Sequence, residues 1–169
     1  MNIAYTIAPG RGDTDLMLAS LAETLANKGL RLCGTVQVNT ERVCDGPCDM
    51  DVLVLPDGPA IRISQSLGKE SHGCRLDPDA LERAVGMATE QLRAGADVLI
   101  VNKFGKHEAD GRGFRDIIAE AISLGVPVLV GTNGLSEPAF LEFTDGCAQK
   151  VEPNAEALVE WVEATMEPA

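Results

Sequence analysis

Aromatic side chains are scarce, with one Trp, one Tyr and four Phe in 169 residues. A core with so few rings is aliphatic, and the stacking platforms that grip single-stranded nucleic acid are not expected. Positive charge is also short: 14 Lys and Arg stand against 26 Asp and Glu, a formal net charge of −12. That balance, with a pI near 4.5, argues against a nucleic-acid groove or an anionic membrane surface. No apolar run approaches the ~18 residues of a membrane span, so membrane insertion is not expected. The N-terminus enters a strand without the charged and apolar regions of an export signal, and the expected compartment is the cytoplasm. The five cysteines are scattered and odd in number, for which reduced thiols are the default there. Internal repeats and low-complexity linkers are lacking, so residues 1–169 are expected to form one domain.

Against these absences, 45% hydrophobic residues supply an ordinary soluble core. Asn2 to Ile7 reads as a short buried strand running into the glycine-rich turn Ala8-Pro9-Gly10-Arg11-Gly12-Asp13-Thr14-Asp15. A helix from about Asp15 to Lys28 carries Leu16, Leu18, Leu21, Ala22 and Leu25 on one face, with Asp13 or Thr14 as its N-cap and Gly29 as its stop. Leu30 to Val38 is a second strand, which completes a βαβ unit and predicts a parallel sheet. Two short strands, Val52 to Leu55 and Ala60 to Ser64, flank the turn Pro56-Asp57-Gly58-Pro59 as an appended β-ribbon. Residues 66–76 read as an irregular loop. Asp77 caps a helix that starts at Pro78 and runs to about Ala94. Further helices are expected at Gly113 to Leu124, about Glu137 to Phe143 and Asn154 to Met166, with strands at Val126 to Val130 and near Ala148 to Val151. The architecture predicted is a three-layer α/β sandwich with a mostly parallel sheet.

The segment from Asp97 to Arg115 organises the rest. Val98-Leu99-Ile100-Val101 is the unbroken apolar run of a strand buried on both faces. It switches abruptly to Asn102, Lys103, Lys106, His107, Glu108, Asp110 and Arg112. Ligands of open α/β sheets bind outside the carboxyl ends of such strands, so this edge is the expected site. The first turn offers a helix N-terminus and backbone N–H groups to an anion. Measured against the P-loop pattern G-x-x-x-x-G-K-[ST], Gly12-Asp13-Thr14 takes the last three places and the leading glycine falls on Ile7. The lysine is replaced by an aspartate, with Arg11 as a substitute cation. The acidic pair that serves magnesium and water in nucleotide hydrolysis has its counterpart in Asn102-Lys103. Metal ligands are lost and positive charge is gained, which suits a bare oxyanion better than a magnesium-bound triphosphate.

The run Asn102-Lys103-Phe104-Gly105-Lys106-His107-Glu108 resembles the D-E-x-G-x-x-E segment of small P-loop nucleoside-triphosphatases first described from thermophiles. Together with RISQSLG, GCRLD and VPVLVGTN, it is similar to a bacterial domain-of-unknown-function family often encoded beside molybdate-uptake genes. The resemblance extends from Asn2 to about Phe143. It implies a P-loop-like fold and, through gene context, a link to molybdenum or tungsten. Asp13, Asn102 and Lys103 depart from the triphosphatase pattern, which points away from hydrolysis and leaves no catalytic residue assigned.

Molybdate and tungstate are tetrahedral dianions, held by N–H donors, a hydroxyl and one or two cations. The residues expected to supply these are Gly10, Arg11, Gly12, Asp13, Thr14, Asn102, Lys103, Lys106, Arg112 and Asn133. Arg62, Ser64, Cys74, Arg75 and Glu108 form a second rank that reaches the same edge, the two arginines as part of a lid or simply paired to surface carboxylates. Cys44 and Cys48, four apart on a turn, invite a thiolate metal site with Cys74 and His72, but no fourth ligand or matching pair is visible, and no metal is assigned. His107 beside Glu108 offers acid–base chemistry with no accompanying nucleophile. The expectation is an oxyanion-binding protein, with molybdate or tungstate as ligand. Its rivals are a nucleoside-triphosphatase or phosphotransferase taking a nucleotide, and a non-catalytic regulatory protein that binds a partner. A homo-oligomer is expected, with the ribbon from Val52 to Ser64 as its contact.

Overall fold

Runs that are apolar on both sides dictate the centre of the molecule. The computed structural model describes residues 2–10, 12–40, 49–65 and 75–167. Along the chain these form β1 (Ile3–Thr6), α1 (Asp13–Asn27), β2 (Leu32–Thr40), β3 (Asp49–Val54), β4 (Ala60–Arg62), β5 (Ser64–Gln65) and β6 (Arg75–Leu76). There follow α2 (Pro78–Ala94), β7 (Val98–Phe104), α3 (Lys106–Ala109), α4 (Arg115–Ser123), β8 (Val128–Thr132), α5 (Glu137–Phe143), β9 (Gln149–Lys150) and α6 (Ala155–Met166). Seven strands make one sheet in the order β4-β3-β2-β7-β8-β1-β9. From β2 to β9 all neighbours are parallel, whereas β3 and β4 add antiparallel at one edge. The expected three layers, mostly parallel sheet and ribbon are all present.

The sheet separates two aliphatic cores. On one face Leu18, Leu21 and Leu25 of α1, with Leu158 and Val162 of α6, pack on Ala4, Leu32, Val36, Val98, Ile100 and Leu129. On the other, Leu81, Ala84 and Leu92 of α2, Ile117 of α4 and Phe140 of α5 cover Ile3, Cys33, Leu99, Val101, Val128 and Val130. Consecutive residues of β7 thus alternate between the cores, which is why the strand reads as an unbroken apolar run. No helix among the described residues is long and apolar enough to cross a membrane.

Several boundaries differ from the sequence reading, each for a local reason. Neither Asp13 nor Thr14 caps α1. The helix begins two residues early, and its N-cap is Gly12 at φ 81 with no side-chain bond, because the Thr14 hydroxyl turns back to accept from the Ala8 N–H at 3.1 Å. Gly29 stops α1 as expected: at φ 86 it lets its own N–H reach Ala26 O and the Leu30 N–H reach Leu25 O at 3.0 and 3.2 Å, a left-handed terminus that favours glycine. Asp77 caps α2, accepting from the N–H groups of Asp79 and Ala80. The strand expected to run to Ser64 ends at Arg62, and Ser64–Gln65 instead pair with Arg75–Leu76 across the expected loop. Two-residue strands carry no periodicity to read.

Candidate functional site at the carboxyl edge of the sheet

The polar residues that end the central strand serve different sides of the sheet. Expected just past the strand, Asn102 and Lys103 still belong to it, because β7 continues to Phe104. The Thr132 hydroxyl fastens this end by donating to the Phe104 carbonyl at 2.7 Å. Asn102 bonds Asp15 of α1 and Lys103 lines a cleft on the side of α2, in a stretch where the register of β7 shifts.

On the α1 side Asn102 is 3% exposed and bonded at both ends. Its amide donates to Asp15 Oδ1 at 2.7 Å, and its Oδ1 accepts from the Gln37 backbone N–H at 2.8 Å. The second oxygen of Asp15 accepts from the Asn39 amide at 2.7 Å, and Asn39 Oδ1 accepts from the Gln37 side chain at 2.8 Å. This network bolts the first turn of α1 to β2 and β7. In P-loop enzymes the loop hydroxyl and a strand carboxylate share magnesium; here a helix carboxylate and a strand amide bond each other. The Asp13 carboxylate folds back over Gly10, so closely that a side chain at Gly10 would collide with it. The turn between β1 and α1 therefore presents negative charge where the P-loop lysine would stand.

On the α2 side lies a cleft of about 280 Å³. Its walls are apolar, including Met50, Val52, Ile63, Leu76, Leu81 and Phe114, and its polar lining includes Thr35, Gln37, Asn102, Lys103, Lys106 and His107. Lys103 and Lys106 are exposed, and neither meets a carboxylate among the described residues. Gly105 between them is buried, and a Cβ there would come within 3.1 Å of the Lys103 stem. In a protein of net charge −12, two cations lining one cleft without ion partners among the described residues make a local positive site.

Two carboxylates shape the loop behind these lysines. Glu108 is 3% exposed and accepts from the Gly105 N–H at 3.0 Å and the Phe114 N–H at 3.3 Å. Burial pushes its pKa up, and the backbone donors, with His107 alongside, pull it part of the way back. Glu82 of α2 accepts from the Gly113 N–H at 2.9 Å and lies 3.1 Å from His107 Nε2. Gly113 sits at φ 63, and a side chain there would overlap the Glu108 carboxylate, so only glycine lets both clamps close.

The other expected residues are placed as follows. Asn133 accepts from the Ser136 N–H at 2.9 Å, just ahead of α5. Arg112 is exposed beyond α3. Arg62 pairs with Asp51 at 2.6 Å on the edge ribbon, and the Ser64 hydroxyl accepts from the Met50 N–H at 3.0 Å. Arg11, Cys44, Cys48, His72 and Cys74 lie outside the described residues, as does the side chain of Arg75. Among the described residues no group of three His, Cys, Asp or Glu side chains comes together. The structure thus brings Lys103, Lys106 and Glu108 to one cleft with Asn102 at its margin, while Gly10, Gly12, Asp13, Thr14 and Asn133 do not line it. Sequence reasoning missed Asp15, Thr35, Gln37, Asn39 and Glu82. Thr35 had a signal, a hydroxyl at an inward position of a strand whose neighbouring inward position is Cys33.

This topology, with a turn–helix after the first strand and a polar edge on the central one, is that of P-loop nucleoside-triphosphatases. A human cancer-related nucleoside triphosphatase superposes with a TM-score of 0.68 at 17% identity, covering 97% of each chain. THEP1 from the hyperthermophile Aquifex aeolicus superposes at 0.56 with 22% identity over 97% of this chain and 96% of its own. More narrowly, the chain belongs to the family described as Protein of unknown function (DUF2478), whose model matches residues 3–161. A curated relative, "Molybdenum import ATP-binding protein ModC 2" of Bradyrhizobium diazoefficiens, is 34% identical over 144 residues, 85% of this chain. That match spans 16% of the relative's length.

Proposed function

We propose that the protein binds a tetrahedral oxyanion at the carboxyl edge of its sheet, without hydrolysing nucleotide. The observation that carries this reading is the pair Lys103 and Lys106, exposed, flanking Gly105 at the mouth of a 280 Å³ cleft, with no carboxylate partner among the described residues. The first turn supports it from the other side. Asp13 and the Asp15–Asn102 bond stand where a triphosphate and its magnesium would need a lysine and a free metal ligand. The relative's printed name includes molybdenum import, which selects molybdate or tungstate among dianions of one shape. Arg11, Gly10, Gly12, Thr14, Arg112 and Asn133 extend the expected anion surface around the same edge, with Arg62, Ser64, Cys74 and Arg75 in the second rank. We place the protein in the cytoplasm and expect self-association through the ribbon from Val52 to Ser64, where Leu53 (37% exposed) lies uncovered. Sedimentation velocity reads that association.

The second reading is nucleotide binding, favoured by the fold and by the words "ATP-binding" in the same relative's name. A thermal-shift panel of molybdate, tungstate, sulfate, phosphate, ATP and GTP, the nucleotides with and without magnesium, separates the two. A ligand at 100 times its dissociation constant adds about 2.7 kcal/mol to the folded state. Stabilisation by molybdate or tungstate that disappears in Lys103→Ala supports the oxyanion reading. A magnesium-dependent nucleotide shift transfers the assignment to the triphosphatase class, and no shift with any of them leaves a regulatory, partner-binding role.

A further inference from the structure

The cleft behind the lysines is not built for an inorganic ion alone. Beyond its polar lining the cleft carries Met50, Val52, Ile63, Leu76, Leu81 and Phe114, apolar surface that an inorganic ion held by the lysines would leave uncontacted. One buried group on the wall is unexplained. Thr35 is 0% exposed, and its hydroxyl finds no hydrogen-bond partner among the described residues. Its neighbours in register are Val54 on β3 and Val101 on β7, both core residues of the α2 face, so valine would fit there and the hydroxyl is a cost to the free protein. Register also sets its depth. Thr35 is level with Val101, ahead of Lys103 on β7, so it lies further along the sheet into the cleft than the lysine. Gln37, two residues after Thr35, also lines the cleft.

From this arrangement we propose that the cleft binds a small organic phosphate or similar oxyanion ester. Its dianionic head lies between Lys103 and Lys106, an apolar body lies against Val52, Leu76 and Leu81, and a hydrogen-bond acceptor at the far end of that body meets the Thr35 hydroxyl. The inference rests on the oxyanion reading of the lysine pair and adds the class of molecule that carries the oxyanion. The inference concerns binding in this cleft.

Titration calorimetry with three probes tests it: inorganic phosphate, phenyl phosphate, and 4-nitrophenyl phosphate, whose nitro group supplies the distal acceptor. Methyl NMR of the cleft residues is followed alongside. Phenyl phosphate is expected to bind at least tenfold tighter than inorganic phosphate, with shifts at Val52, Leu76 and Leu81. 4-Nitrophenyl phosphate is expected to gain a further threefold or so, and Thr35→Val should erase that last gain while raising the melting temperature of the free protein. Equal affinity for the inorganic and organic phosphates, with the cleft methyls unmoved, overturns this inference and leaves the oxyanion reading standing. Retention of the nitro group's advantage in Thr35→Val overturns the role of Thr35. Failure of all three probes, and of molybdate, removes both readings together.

Discussion

At the scale of single residues, the decisive feature is which polar groups are already occupied. Asn102 and Asp15 satisfy each other, Thr14 serves Ala8, and Asn133 serves the start of α5, whereas Lys103 and Lys106 lack ion partners among the described residues. Glu108 makes this scale measurable. Burial raises its folded pKa above that of the unfolded chain, so the folded state holds the proton more readily between those two values. Its contribution therefore lowers stability as pH rises through that window and becomes constant above it. Glu108→Gln should remove this slope, and it should cost about 1–3 kcal/mol at low pH by leaving one of the Gly105 and Phe114 N–H groups without an acceptor. Urea unfolding of both proteins across the acid range checks this; parallel curves would contradict it. Cysteine gives a second residue-level expectation. Burial pushes the Cys33 thiol up to about 12, whereas Cys147 is exposed, so brief alkylation of the native protein should label Cys147 and spare Cys33, as peptide mass spectrometry would read.

Among the elements, the caps and clamps do most to fix the site. Asp77 ties α2 to the end of the ribbon: its carboxylate caps the helix, while its N–H donates to the Ile63 carbonyl at 2.6 Å. Asp77→Ala should cost about 1 kcal/mol in denaturant unfolding, and a change below the error of that measurement would show that the cap is redundant. The same helix is readable from the sequence, because Asp77-Pro78 at its start is a local signal. So are the buried strands and the Gly29 stop. The end of β7 is not. Asn102 and Lys103 are polar and look like loop, yet pairing with β8 carries the strand through to Phe104. That extension sends neighbouring side chains to different sides, which divides the single pocket expected around Gly10–Thr14 and Lys103. The β5–β6 ladder and the Glu82–Gly113 bond escaped for a related reason: both join residues far apart in sequence, and neither leaves a periodic trace.

For the whole molecule, the fold and the chemistry point in different directions. The architecture is that of P-loop nucleoside-triphosphatases, and the family match covers nearly the whole chain. At the edge where that architecture gathers lysine, hydroxyl and acids, this chain has aspartates at the first turn, Lys103 on the central strand and Lys106 just past it. Charge at this edge differs from that pattern on a chain otherwise rich in carboxylates, and the proposed oxyanion reading rests on that difference. The most direct test is calorimetric titration of molybdate and of magnesium-ATP into the wild-type protein and into the Lys103→Ala/Lys106→Ala variant. The account predicts that molybdate binds the wild type and loses at least tenfold in affinity in the variant, with no heat from magnesium-ATP in either. Binding of magnesium-ATP with no response to molybdate would contradict it and restore this edge to nucleotide chemistry.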